Sequence, residues 1–243
     1  MVKAKDQVKI LFVQVRGDEM KEHEFLCFDR AIDVPQENFL RVDVFRDDLH
    51  ESLLEGVDVV ILAGTGHYFS GGGHPEKLPQ LIEFIKTVRE RHIPLLGIGY
   101  GHEVIAMAFG GEVVQDPSLR EIGSIQMHRT EAGKTDRIFQ HLPDVFRVQI
   151  GHNHSVNESP VGAVELVSSE KVCCEAFTFP GEPLYALQFH PELDHPDVVI
   201  RLQFYQRKYL TDAAEVETIV AGLRHSPDAA KILDLFIDEV VLS

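Results

Sequence analysis

The side chains best suited to chemistry in this sequence are its histidines, the acids beside them and three cysteines. Residues 95–111, LLGIGYGHEVIAMAFGG, pass from an apolar run through glycines into an amphipathic stretch. That pattern reads as a buried strand feeding a helix through a tight turn, an elbow that usually presents one reactive side chain. Here the turn residue is Gly99, which has none. Tyr100 follows, but a phenol with a pKa of about 10 needs strong activation before it can attack. Cys27, Cys173 and Cys174 have neither metal-site spacing nor the numbers for a disulfide framework. Neighbours on a strand face opposite ways, so Cys173 and Cys174 make a poor chelating pair and are expected as reduced, mostly buried thiols. His152 and His154 would share one face if their segment is a strand. Histidines with carboxylates close by suit zinc or an ion of similar softness. His67 and His74 lie in GTGHYFSGGGHPEK, whose glycine spacing fits no phosphate-binding loop and reads as a flap.

Those residues need elements to hold them. VKILFVQV (8–15), LRVDVF (40–45), VDVVILAG (57–64) and IPLLGI (93–98) read as strands, the third apolar from residue 59 onward. Residues 78–91 carry Leu81, Phe84, Ile85 and Val88 at helical spacing. The order β–α–β–β–α–β–α, with strands needing cover on both faces, predicts a mostly parallel, doubly wound α/β sheet with helices on both sides. From residue 112 the pattern shifts to short strands, at 121–128, 145–150, 163–169, 172–179 and 184–189. The last three are expected to add an antiparallel extension to the same sheet. Residues from about 195 to 243 read as a helical tail, with Ser226 as a cap and Pro227 in a first turn. The expectation is one domain spanning 1–243. A formal charge of −16 argues against nucleic acid or an anionic membrane surface as partner. No run approaches a membrane span or a cleavable leader, which predicts a soluble, cytoplasmic protein.

Two segments together resemble the class I glutamine amidotransferases. LLGIGYGHE resembles that family's elbow, L-G-I-C-x-G-H-Q, and LQFHPEL (187–193) resembles its second catalytic segment, Q-x-H-P-E. The similarity covers nearly the whole chain. It is greatest to stand-alone domains like the amidotransferase part of GMP synthase, and it implies a flavodoxin-like fold. In that family an elbow cysteine attacks the γ-amide of glutamine, a histidine acts as its base and a glutamate orients the histidine. Backbone amides stabilise the oxyanion. The resemblance assigns the base to His190, the orienting carboxylate to Glu192 and the oxyanion positions to Gly64, Thr65, Gly66 and Tyr100. Gly99 falls on the nucleophile. Glu103 replaces the glutamine of G-H-Q, while in GHNHSV His152 matches a family histidine and His154 replaces an acid.

A glycine can neither ionise nor form a thioester, so the family mechanism is closed to it. The resemblance therefore implies a non-catalytic pocket protein. It would bind a small metabolite such as an amino acid or amide, with a synthetase as a possible partner. The alternatives are a hydrolase using water activated by His190 and Glu192, a metal-dependent enzyme using the pocket histidines, and a scaffold. His102, His152, His154 and His190 are expected at the pocket rim, with no metal and no cofactor. Glu103 admits two readings: an acid favoured by the helix N-terminus, or a group that reads ligand charge.

Overall fold

The computed structural model describes residues 3–66, 76–209 and 213–243. In chain order the elements are β1 (Ile10–Gln14), α1 (Met20–Ala31), β2 (Phe39–Asp43), β3 (Val59–Leu62), α2 (Leu78–Glu90), β4 (Leu95–Ile98) and α3 (Tyr100–Ala108). There follow β5 (Glu112–Val114), β6 (Glu121–Arg129), β7 (Val145–His152), β8 (Ser155–Glu158), β9 (Val164–Ser168), β10 (Ala176–Thr178) and β11 (Leu184–Leu187). The tail holds α4 (His195–Tyr209), α5 (Ala213–Gly222) and α6 (Ile232–Phe236), the last running into a π-turn at Ile237–Val241. None of the described helices is long and apolar enough to cross a membrane.

Nine strands form one sheet in the order β2-β1-β3-β4-β11-β10-β9-β6-β7. The first five run parallel, and the remaining four are joined antiparallel. The expected α/β architecture is present, with one correction to its extension. Residues 184–187 pair parallel with β4 and so complete the parallel half. The segments at 121–128 and 145–150, to which the sequence assigned no place, join the same sheet beyond β9. Hydrophobic pattern predicts that a segment is a strand, but it does not choose the neighbour.

Alternation along the central strands divides the core. Ile10 and Phe12 of β1 pack with Phe25 and Phe28 of α1 and with Phe236 of α6. Leu11 and Val13 face the other way, onto Leu81 and Phe84 of α2 and Val104 of α3. A third, smaller cluster joins Val198 and Leu202 of α4 to Val216 and Leu223 at α5. Ser226 does not cap the tail helix; its hydroxyl accepts from Gln149 Nε2 at 3.1 Å, and the chain turns helical only at 229.

Candidate functional site

The site is assembled where the parallel strands end at their carboxyl edge, the usual place for ligands in an open α/β sheet. Leaving β4, the chain reaches Gly99, whose N–H donates to the Leu187 carbonyl at 2.8 Å and whose carbonyl accepts from His102 N at 3.0 Å. Its φ of 57° and ψ of −111° lie in a region that residues with a Cβ enter only under strain. The turn is also tight. A Cβ on Gly101 would collide with the Leu62 carbonyl, so α3 can start this close to β3 only with glycine there.

A Cβ built on residue 99 would lie 3.0 Å from His190 Cε1 and 3.2 Å from its Nε2. The elbow is therefore aimed at the His190 imidazole. His190 follows β11 and is anchored by its own N–H, which donates to the Gln149 carbonyl at 2.8 Å. Its Nδ1 lies 2.8 Å from Glu192 Oε1. A proton on Nδ1 satisfies that carboxylate and leaves Nε2 as an acceptor facing residue 99. Burial by itself would raise the Glu192 pKa. The charges of His190 and of Arg201, whose Nη1 is 3.4 Å away, overcome that and hold it below the usual carboxylate value.

A cleft of about 130 Å³ opens in front of this pair. Gly64, Thr65 and Gly66, in the loop after β3, line it, as do Gly99, Tyr100, Glu103, His152 and His190. The far wall comes from elements whose part in the site the sequence did not announce: Arg16 just beyond β1, and Arg201 and Tyr205 on α4. Arg16 is buried, with Nε and Nη2 at 3.2 and 3.1 Å from Glu24 Oε1. It also donates to the Tyr205 hydroxyl, which in turn donates to Asp18 Oδ2 at 2.8 Å. A Cβ on Gly66 would strike Asp18 and Tyr205, so the loop's closeness to this network depends on glycine.

Residues 36–199 match the family described as class I glutamine amidotransferase. The chain belongs to that family. One subunit of the glutamine-hydrolysing GMP synthase of Pyrococcus abyssi is 33% identical over 140 residues, covering 58% of this chain and 72% of that one. The glutamine-hydrolysing GMP synthase of Syntrophomonas wolfei is 35% identical over 181 residues, 74% of this chain but only 31% of its own length. A glutamine amidotransferase of Thermotoga maritima superposes with a TM-score of 0.77 at 21% identity, covering 98% of this chain and 99% of that one, a likeness of fold.

Not every expected residue of this amidotransferase domain reaches the cleft. Glu192 stands behind His190 rather than on the wall. His102, expected at the rim, is fully buried on α3, its Nδ1 3.0 Å from Gln188 Oε1. Burial pushes its pKa down to about 3, so the ring is neutral. His154 is buried beyond the end of β7 while His152 is that strand's last residue, so the two do not form a shared strand face. Glu103 is neither a solvated first-turn charge nor a standing anion. Burial raises its pKa to about 8 against the opposing effect of Gln188, leaving a neutral carboxylic acid at pH 7. Protonated, it resembles a glutamine side chain in shape and offers one donor and one acceptor. Cys27 and Cys174 are buried and Cys173 is exposed, all as thiols. His67, His74 and residues 70–73 lie outside the described residues. Among the described residues, two groups bring three possible metal ligands within 4.8 Å of one another: His23, Cys27 and Asp197, and Glu121, His152 and Glu175. His102, His154 and His190 are in neither group.

The missed residues left faint signals. Arg16 follows a mostly apolar strand at the carboxyl edge, where ligand sites form. Arg201 and Tyr205 are four residues apart on the helix face that also carries Val198 and Leu202.

Proposed function

We propose that this chain is a class I glutamine amidotransferase-like domain that binds a small molecule but does not hydrolyse glutamine. Gly99 stands where relatives that hydrolyse glutamine carry the nucleophilic cysteine. One observation carries the reading. His190 Nδ1 is paired with the buried Glu192 carboxylate, yet Nε2 faces a position whose side chain, if present, would begin 3.2 Å away. His190 is oriented to accept a proton, and no thiol donates one. Without a thiolate there is no thioester, and catalysis by the oxyanion site and binding alone is orders of magnitude weaker. In this reading the amides of Gly64, Thr65, Gly66 and Tyr100 face the carbonyl or carboxyl oxygen of the bound molecule. Glu103 and His152 shape the wall, and the ligand is an amino acid or amide. His102 and His154 support that wall from behind.

The Pyrococcus relative is one subunit of a synthase, which supports a synthetase as partner here, and the three unpaired thiols support a cytoplasmic setting. We read residues 1–243 as one such domain.

Ammonia release from glutamine tests the proposal. Wild type is expected at the level of a protein-free blank. Gly99→Cys is expected to gain at least about 10³-fold over wild type, and Gly99→Cys combined with His190→Ala to lose that gain. Turnover by the wild-type protein would overturn the reading.

A further inference from the structure

Behind the cleft wall, Glu121 of β6, His152 of β7 and Glu175 just before β10 converge. They are 4%, 3% and 0% exposed. His152 Nε2 lies 3.7 Å from Glu121 Oε2 and 3.9 Å from Glu175 Oε1. Both gaps are too long for hydrogen bonds. Among the described residues, His152 Nε2 and both carboxyl oxygens of Glu175 have no hydrogen-bond partner. Three unsatisfied polar atoms pointing at one another inside a core are costly, and two acids that close cannot both stay charged unaided. A proton or a cation held between them would relieve that cost.

We propose that Glu121, His152 and Glu175 hold a divalent cation of the zinc class. Zinc sits about 2.0–2.2 Å from imidazole nitrogen and carboxylate oxygen, so one ion reaches from His152 Nε2 to either carboxylate across gaps of 3.7 and 3.9 Å. One neutral imidazole and two carboxylates match the ion's two charges, which removes the cost of burying like charges together. The outer contacts also fit. The other ring nitrogen of His152 is 3.3 Å from Ser155 Oγ, and Ser169 Oγ donates to Glu121 Oε2 at 3.0 Å, so both ligands are held in place. Three protein donors leave a fourth position for water.

The second cluster is a worse host. Arg30 is ion-paired to Asp197, and the Cys27 thiol, pushed up to about 12 by burial, resists the deprotonation a metal requires. The alternative occupant of the first cluster is protons, with Glu175 carrying one against Glu121. Because His152 also lines the cleft, an ion there would fix one of its walls. Nothing in this cluster depends on whether glutamine is cleaved.

The test uses the whole chain without a histidine tag, stripped with a chelator and titrated calorimetrically with Zn²⁺. One ion per chain is expected, with proton release measured across two buffers. Glu175→Gln, which copies the protonated acid in shape, and Glu121→Gln are each expected to weaken binding by roughly 100-fold or more. Cys27→Ser is expected to bind as wild type does. Titration with Co²⁺ is expected to give no thiolate charge-transfer band. No stoichiometric binding, retention of Zn²⁺ by both glutamine variants, or a thiolate band would overturn the proposal. The first of those outcomes assigns the cluster to protons, and the last moves the ion to Cys27.

Discussion

Two histidine–carboxylate groups flank the same cleft and behave oppositely. His190 and Glu192 are 2.8 Å apart, and Arg201 supplies a positive charge from behind. That group is balanced and its carboxylate is easily ionised. His152 faces two acids at 3.7 and 3.9 Å, with no arginine among the described residues closing the group, and Glu175 is driven well above the ordinary carboxylate range by burial and then by Glu121. Comparable burial of Glu192 and Glu175 thus gives one carboxylate held charged by its partners and one cluster with surplus acid. What differs is the local sum of charge, not the residue types.

The largest effect on stability should come from breaking the balanced group. Glu192→Gln leaves Arg201 and His190 buried without their anion and is expected to cost about 3–5 kcal/mol in urea denaturation. A loss under about 1 kcal/mol would mean the pair is not tightly coupled. The two groups also pull the pH profile in opposite directions. Glu192 titrates lower in the folded chain than in the unfolded one, so its stabilisation is present above the unfolded value and is lost as pH falls.

Glu103, like Glu175, belongs with the surplus acids. Its folded pKa of about 8 exceeds the ordinary glutamate value of 4.5, so the folded chain keeps a proton that the unfolded chain releases. Stability should therefore fall as pH rises between those values, by up to about 1.4 kcal/mol per pH unit. Glu103→Gln should flatten that part of the curve, measured as denaturation midpoints from pH 5 to 8. An unchanged slope would contradict a protonated Glu103.

Smaller effects probe the space between the groups. Gly99→Ala adds a methyl at positive φ against His190 and should cost about 1–3 kcal/mol in thermal unfolding without creating activity. A neutral result would mean the imidazole yields freely. Last, Glu175→Gln in the metal-free protein should change stability by no more than about 1 kcal/mol, because it removes surplus charge rather than a partner. A loss as large as that of Glu192→Gln would erase the contrast.

Much of the cleft was legible in the order of residues. Gly99, Tyr100 and Glu103 lie together on one elbow, Gly64–Gly66 end an apolar strand, and His190 and Glu192 sit two apart. Short-range spacing is what sequence displays directly. The register of β6, β7 and β11 was not legible, because alternation marks a strand without naming its partner. Nor was the burial of His102 and His154, since a polar residue in a mixed segment carries no mark of depth. Arg16 with Tyr205, or Glu121 with Glu175, meet only after some 50 to 190 residues of chain have been folded between them.

By itself, then, the sequence determined the α/β order of elements, the elbow and the glycine at its apex, because each depends on contacts within a few residues. Tertiary structure alone decided which acids are charged and which face one another across the cleft wall. Charge state follows from desolvation and from neighbours brought in by distant strands, and local pattern does not encode either.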